Sequence, residues 1–85
     1  MKTVEIYTTP GCPYCHAAKR LLTKKGATFS EIDVSRDAAL RVTMTNRANG
    51  GRTVPQIFVG GAHVGGSDDL HALDDAGKLD AMLAG

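Results

Sequence analysis

Two cysteines, Cys12 and Cys15, are the only ones in a chain of 85 residues, and they stand three apart. Chains this short bury a modest fraction of their surface and are often held by a staple. A bridge between Cys12 and Cys15 would close a tiny loop and constrain the unfolded chain very little. The core must therefore come from short amphipathic elements, and the cysteine pair is left for chemistry. Its setting sharpens this. Thr3 to Thr8 alternates, with Val4 and Ile6 on one face and Glu5 and Tyr7 on the other, which predicts a strand. Thr9-Pro10-Gly11 breaks it, and Pro13 suits a first helical position, where its missing N–H would be unpaired anyway. Cys12 thus falls at the start of a helix.

That helix is expected over Tyr14–Lys25, with Cys15, Ala18, Leu21 and Leu22 at helical spacing and Lys24, Lys25 and Gly26 at its end. Thr28 to Val34 predicts a second strand, with Phe29, Ile32 and Val34 apolar. Ser35 can cap a second helix running through Leu40, Val42 and Met44 to about Asn46. Asn49-Gly50-Gly51 is a loop, Gln56–Val59 a third strand, and Gly60-Gly61 a two-residue hairpin turn leading into a short fourth strand over 62–64. Gly65-Gly66 ends it. Ser67 is expected to cap a third helix, whose stripe of Leu70, Leu73, Leu79, Met82 and Leu83 runs to the end. The order β-α-β-α-β-β-α implies an α/β fold with parallel neighbours joined by a right-handed crossover. Residues 1–85 form one domain without repeat or linker.

The formal net charge is +1, with 22% of residues charged and no Trp. No nucleic-acid footprint and no stacking surface for bases is present. No apolar run approaches a transmembrane length, and no signal peptide precedes the first strand. The expected location is the cytoplasm, where close cysteine pairs are catalytic or metal-binding more often than structural.

A cysteine at a helix N-terminus faces the free N–H groups of the first turn and the positive end of the dipole. Both favour thiolate, so Cys12 is the expected nucleophile. Cys15, one turn on, can attack a mixed disulfide formed at Cys12 and release the reduced partner. Three other readings compete. A purely structural pair fits poorly at a strand-to-helix junction. A closed zinc site needs four ligands, and only His16, His63 and His71 are left to complete it. Cys12 to His16 also reads C-x-x-C-H, the attachment pattern of c-type haem, which normally goes with export; His16 is expected instead as an exposed helix residue. No bound metal is expected.

Several motifs in order resemble the small bacterial dithiol glutaredoxins along the whole chain. They are Val4-Glu5-Ile6-Tyr7, Cys12-Pro13-Tyr14-Cys15-His16, Thr53-Val54-Pro55-Gln56-Ile57-Phe58 and Gly65-Gly66-Ser67-Asp68-Asp69-Leu70. The resemblance implies a thioredoxin fold with a four-stranded mixed sheet flanked by helices. It implies a glutathione-dependent thiol–disulfide oxidoreductase acting on protein disulfides and glutathione mixed disulfides. Glutathione is then the reducing co-substrate, no cofactor is tightly bound, and the protein is a monomer. Pro13 and Tyr14 belong to the active-site loop.

By itself Pro55 marks the start of a strand, and X–Pro bonds are mostly trans. The resemblance implies the contrary: a cis proline facing the active cysteine, with Thr53, Val54 and Pro55 in the glutathione site and the Val54 backbone pairing with its cysteinyl unit like an added strand. Gly65 to Asp69 ends a strand and starts a helix. Glycines there allow close approach, the helix N-terminus offers N–H groups to an anion, and carboxylates beside it can take an ammonium group. Ordinary capping would account for the same residues. The resemblance implies that Gly66, Ser67, Asp68 and Asp69 hold the γ-glutamyl head of glutathione. Two departures stand out. Ser67 occupies a position where many relatives carry a third cysteine. Thr9 stands where many carry a lysine that holds the glycine carboxylate, for which Arg47 or Arg52 are candidate substitutes. Two alternatives remain at this point: reduction by a thioredoxin-reductase-type flavoprotein, and a dimer holding a 2Fe–2S cluster through Cys12 and glutathione.

Overall fold

Alternation of side chains along the two central strands organises the fold. The computed structural model describes residues 1–85, with strands β1 (Val4–Thr8), β2 (Phe29–Asp33), β3 (Gln56–Val59) and β4 (Ala62–Gly65). Helices are α1 (Pro13–Lys24), α2 (Ala38–Arg47), α3 (Ser67–Asp75) and α4 (Leu79–Leu83). The sheet order is β2-β1-β3-β4; β1 and β2 are parallel, the other two pairs antiparallel. This is the four-stranded mixed sheet of a thioredoxin fold.

Both faces of the sheet are covered, as the period-2 rule requires for strands with two apolar sets. Val4, Ile6, Ile57 and Val59 pack with Ala18, Leu21, Leu22, Leu70, Leu79 and Leu83 in one buried cluster. Tyr7 and Phe58, pointing the other way, pack with Val34, Met44 and Ala48. Glu5 shares that second face. The last residue of α2, Arg47, closes a two-pronged ion pair on it, Nη1 to Oε2 and Nη2 to Oε1 both at 3.0 Å. The Arg47 fork also donates to Tyr7 Oη at 2.9 Å and lies 4.1 Å from the Phe58 ring centroid. Arg47 thus ties α2 to the sheet.

Several boundaries differ from those read off the sequence, each for a local reason. The cap of α2 is Asp37, not Ser35: its carboxylate accepts from the N–H groups of Ala39 and Leu40, while Ser35 N–H is taken by Asp33 Oδ1. The cap of α3 is Gly66, and Ser67 is already the first helical residue. The final apolar stripe is broken into α3 and α4 at Gly77, whose φ of +70° ends the first helix with a left-handed residue. Strand β2 stops at Asp33, with the buried Val34 just beyond it donating its N–H to Thr8 O. In the β3–β4 hairpin, Val59 pairs with Ala62 and Phe58 with His63, as a two-residue turn dictates, but Ile57 pairs with Gly65. The extra residue, Val64, makes a bulge that Gly65 accommodates at φ +119°. No helix is long and apolar enough to cross a membrane.

Candidate active site

Cys12 is the N-cap of α1, in extended conformation, with Pro13 as first helical residue. Its sulfur accepts a hydrogen bond at 3.2 Å from the N–H of Cys15, the third residue of the helix. A free helix N–H aimed at the sulfur lies where charge on that sulfur is best stabilised. As a thiol, Cys12 donates to Val54 O at 3.6 Å. Val54 precedes Pro55, and the bond between them is cis. Cys12 is partly exposed; Cys15 is fully buried. Burial pushes the Cys15 thiol up to about 12, Cys12 beside it acts in the same direction, and the Thr9 backbone and the charge of Lys19 oppose. The two cysteines therefore sit in opposite environments on one helical turn. His16 is exposed and engages Pro10 O through Nε2 at 3.1 Å.

Beside the cysteines runs a cleft of about 530 Å³. It is walled by the Thr53-Val54-Pro55 segment on one side and by Gly66, Ser67, Asp68 and Asp69 at the start of α3 on the other, with Tyr14 at its lip. Tyr14 is 65% exposed, a large aromatic held out beside the motif cysteines. The glutaredoxin family model matches residues 4–64, which takes in both cysteines and the Thr53-Val54-Pro55 wall of the cleft and stops just short of the α3 wall.

The chain belongs to the glutaredoxin family. It is 55% identical over 84 residues to a glutaredoxin of Pseudomonas aeruginosa, covering 99% of both chains. It is similar to the solution structure of a glutaredoxin from Brucella melitensis (TM-score 0.86, 59% identity, 98% of this chain and 89% of that one). It is also similar to a buckwheat glutaredoxin–glutathione complex, with a TM-score of 0.86, 31% identity, and coverage of 94% and 74%. Glutathione-dependent thiol–disulfide oxidoreduction is the activity of this glutaredoxin.

The remaining residues singled out from the sequence divide by location. Asp69 closes a capping interaction, its Oδ2 accepting from Gly66 N–H at 3.0 Å. That contact depends on Gly65, because a Cβ built there would run into the Asp69 carboxylate. Asp68 is exposed in the first turn of α3, while Ser67 is buried, its Oγ 3.3 Å from His71 Nδ1. Thr9 is half-buried, in the loop before the cysteines. The Arg47 guanidinium is committed to Glu5 and Tyr7, and the exposed Arg52 receives a hydrogen bond at its carbonyl from Arg41; neither lines the cleft. Three lining residues were not anticipated: Gly51, Gln56 and His63. A signal for two of them exists. Gln56 is the one polar residue in an otherwise apolar buried strand, and the two-residue hairpin puts His63 on the same sheet face.

Proposed function

We propose that Cys12 is the nucleophile and Cys15 the resolving thiol. The contrast between the two sulfurs carries this reading: one stands at the helix start with a backbone N–H on it and a cleft beside it, the other is sealed in the core. In the dithiol route the Cys12 thiolate attacks a protein disulfide, forming a mixed disulfide and releasing one thiolate, which takes up a proton. Cys15 then gives up its proton and attacks Cys12 Sγ; the Cys12–Cys15 bridge forms and the second substrate thiol leaves. One glutathione thiolate opens that bridge at Cys12, restoring the Cys15 thiol, and a second attacks the glutathionyl sulfur, leaving glutathione disulfide and reduced Cys12. In the monothiol route glutathione attacks the Cys12–glutathione mixed disulfide directly, with no part for Cys15.

Glutathione lies along the cleft in this reading. Its cysteinyl unit pairs with the Val54 backbone, flanked by Thr53 and Pro55, and its γ-glutamyl head lies at the start of α3. There the N–H groups of the first turn take its carboxylate, and Asp68 and Asp69, close to Gly66 and Ser67, take its ammonium. Pro13 and Tyr14 shape the lip. Arg52 or the loop at Thr9 would be left to meet the glycine end, since Arg47 is occupied. Residues 1–85 act as one glutaredoxin domain, which the match over nearly the full length of bacterial glutaredoxins supports, and in this reading the protein is a cytoplasmic monomer whose protein partners carry disulfides or glutathionyl groups.

Cys12→Ser and Cys15→Ser, each assayed for deglutathionylation and for protein-disulfide reduction, test the assignment. The first should lose both activities. The second should keep deglutathionylation and lose most of the dithiol activity. A Cys12→Ser protein that stays active while Cys15→Ser is dead would reverse the roles.

A further inference from the structure

Gln56 opens β3 and is only 5% exposed, although the strand around it is apolar. A buried primary amide is costly unless both its ends are satisfied. Here they are. Gln56 Nε2 donates to Thr53 O at 3.0 Å and lies 3.4 Å from Thr53 Oγ1. Gln56 Oε1 lies 2.7 Å from His63 Nε2 across the hairpin. The order of these bonds is forced. The Thr53 carbonyl can only accept, so the amide nitrogen must face it, the amide oxygen faces His63, and His63 holds its proton on Nε2. The His63 ring is in turn steadied by Phe58, with ring centroids 5.1 Å apart.

Thr53 C=O and Val54 N–H belong to one planar trans peptide group, so they point in opposite directions. Tying the carbonyl to Gln56 aims the Val54 N–H the other way. That N–H has no partner within the chain, whereas the Val54 carbonyl is the one facing Cys12. Gly51, at the end of the turn after α2, leaves room for the tie: a Cβ there would come within 2.9 Å of Gln56 Nε2 and 3.2 Å of Ala48.

We propose that Gln56 and His63 are positioning residues for the substrate, holding the Thr53–Val54 peptide so that its N–H is presented to an extended cysteinyl peptide unit. This rests on the reading above that such a unit docks on the Val54 backbone. The pair selects for substrates that carry that peptide unit and is indifferent to reagents that need only the Cys12 sulfur. Losing one such hydrogen bond corresponds to about a two- to tenfold change in an equilibrium.

The test uses Gln56→Leu, His63→Phe and His63→Gln. The KM for a glutathionylated peptide at fixed excess glutathione should rise about two- to tenfold in the first two. Their kcat, and the rate of Cys12 alkylation by iodoacetamide, should stay close to the parent values. His63→Gln, which can still donate to Gln56, should recover most of the loss. In parallel, the Val54 amide resonance is followed when a Cys15→Ser protein is converted to its Cys12–glutathione mixed disulfide; it should move downfield. If Val54 moves but KM is unchanged in Gln56→Leu and His63→Phe, the positioning role is wrong and the docking reading stands. If the Val54 amide does not move, the docking reading fails, and this inference with it. Should Gln56→Leu melt below the assay temperature, the contrast between His63→Phe and His63→Gln decides alone.

Discussion

With Cys12→Ser, Cys15 becomes the only thiol in the chain, and its reactivity can be read directly. It is fully buried and its thiol is pushed up to about 12 from an ordinary 9.0, with burial the largest cause. Three decades of pKa mean about a thousandfold less thiolate than in an unfolded chain at neutral pH, and thiolate is the species that reacts. Removing the Cys12 sulfur takes away two smaller contributions, its hydrogen bond and its charge, and leaves the burial. Iodoacetamide labelling, followed by mass from pH 7 to 11, should therefore be at least a hundredfold slower in the folded Cys12→Ser protein than in the same protein in urea. The folded rate should keep climbing where the unfolded rate has levelled off. The stability of the reduced protein follows the same logic. The folded state holds this proton to higher pH than the unfolded state does. The contribution is thus fully present below about pH 9 and lost as pH rises towards 12, at about 1.4 kcal/mol per unit across that window. Urea titrations of reduced parent and Cys15→Ala at pH 8 and pH 10.5 should show the gap between them closing or inverting with pH. Folded-state labelling within tenfold of the urea rate at pH 7.5 would refute the reasoning, because Cys15 would then be neither sealed nor held protonated.

Asp69→Ala should raise the KM for glutathione and lower stability by about 1 kcal/mol, since it removes a carboxylate that both caps α3 and stands at the proposed ammonium site; an unchanged KM in a folded mutant would leave Asp69 a cap alone. Gly65→Ala should lower stability by about 1–3 kcal/mol and mimic Asp69→Ala in the glutathione assay, because φ +119° disfavours a side chain and the new Cβ meets the Asp69 carboxylate; thermal melts and KM together check it. Arg47→Met should remove about 1 kcal/mol, the pair with Glu5 being partly solvated, and leave the cysteine chemistry intact. Hydrogen bonding to Arg47 holds the Glu5 carboxyl below its usual range, so its contribution is present above about pH 4.5 and lost on acidification; the difference in stability between parent and Arg47→Met should shrink as pH falls from 6 to 3.

Where a boundary depended on one residue's own backbone preference, it could be read from the sequence. Pro13 opens α1 because it gives up an N–H that had no partner, and Gly60-Gly61 sets the hairpin because both residues take positive φ. Cys15, Ala18, Leu21 and Leu22 fall on the buried stripe their spacing required. Where two nearby residues competed for one role, sequence order did not decide. Ser35 and Asp37 could each cap α2, and the outcome turned on Ser35 N–H being drawn to Asp33. Gly66 and Ser67 could each cap α3, and the outcome turned on Asp69 reaching back to Gly66 N–H. Leu79, Met82 and Leu83 would lie on the far side of a continued helix from Leu70 and Leu73, so their spacing already carried the break that Gly77 makes, and only the run of apolar residues hid it.

The same division runs through the site. Spacing along one helix turn placed Cys12 at the N-terminus and Cys15 on the core side, because both facts depend only on local geometry and on which residues are apolar. Everything that joins distant stretches belonged to the tertiary structure. Arg47 had the right sequence position to lie near Thr53-Val54-Pro55, yet the sheet offered it Glu5, Tyr7 and the Phe58 ring, and a planar fork settles where several partners converge. Gln56 and His63 become one unit only because β3 and β4 pair in a particular register. The sequence by itself determined which sulfur meets the helix N-terminus. Only the packed sheet, by bringing residue 54 against residue 12, determined what that sulfur faces.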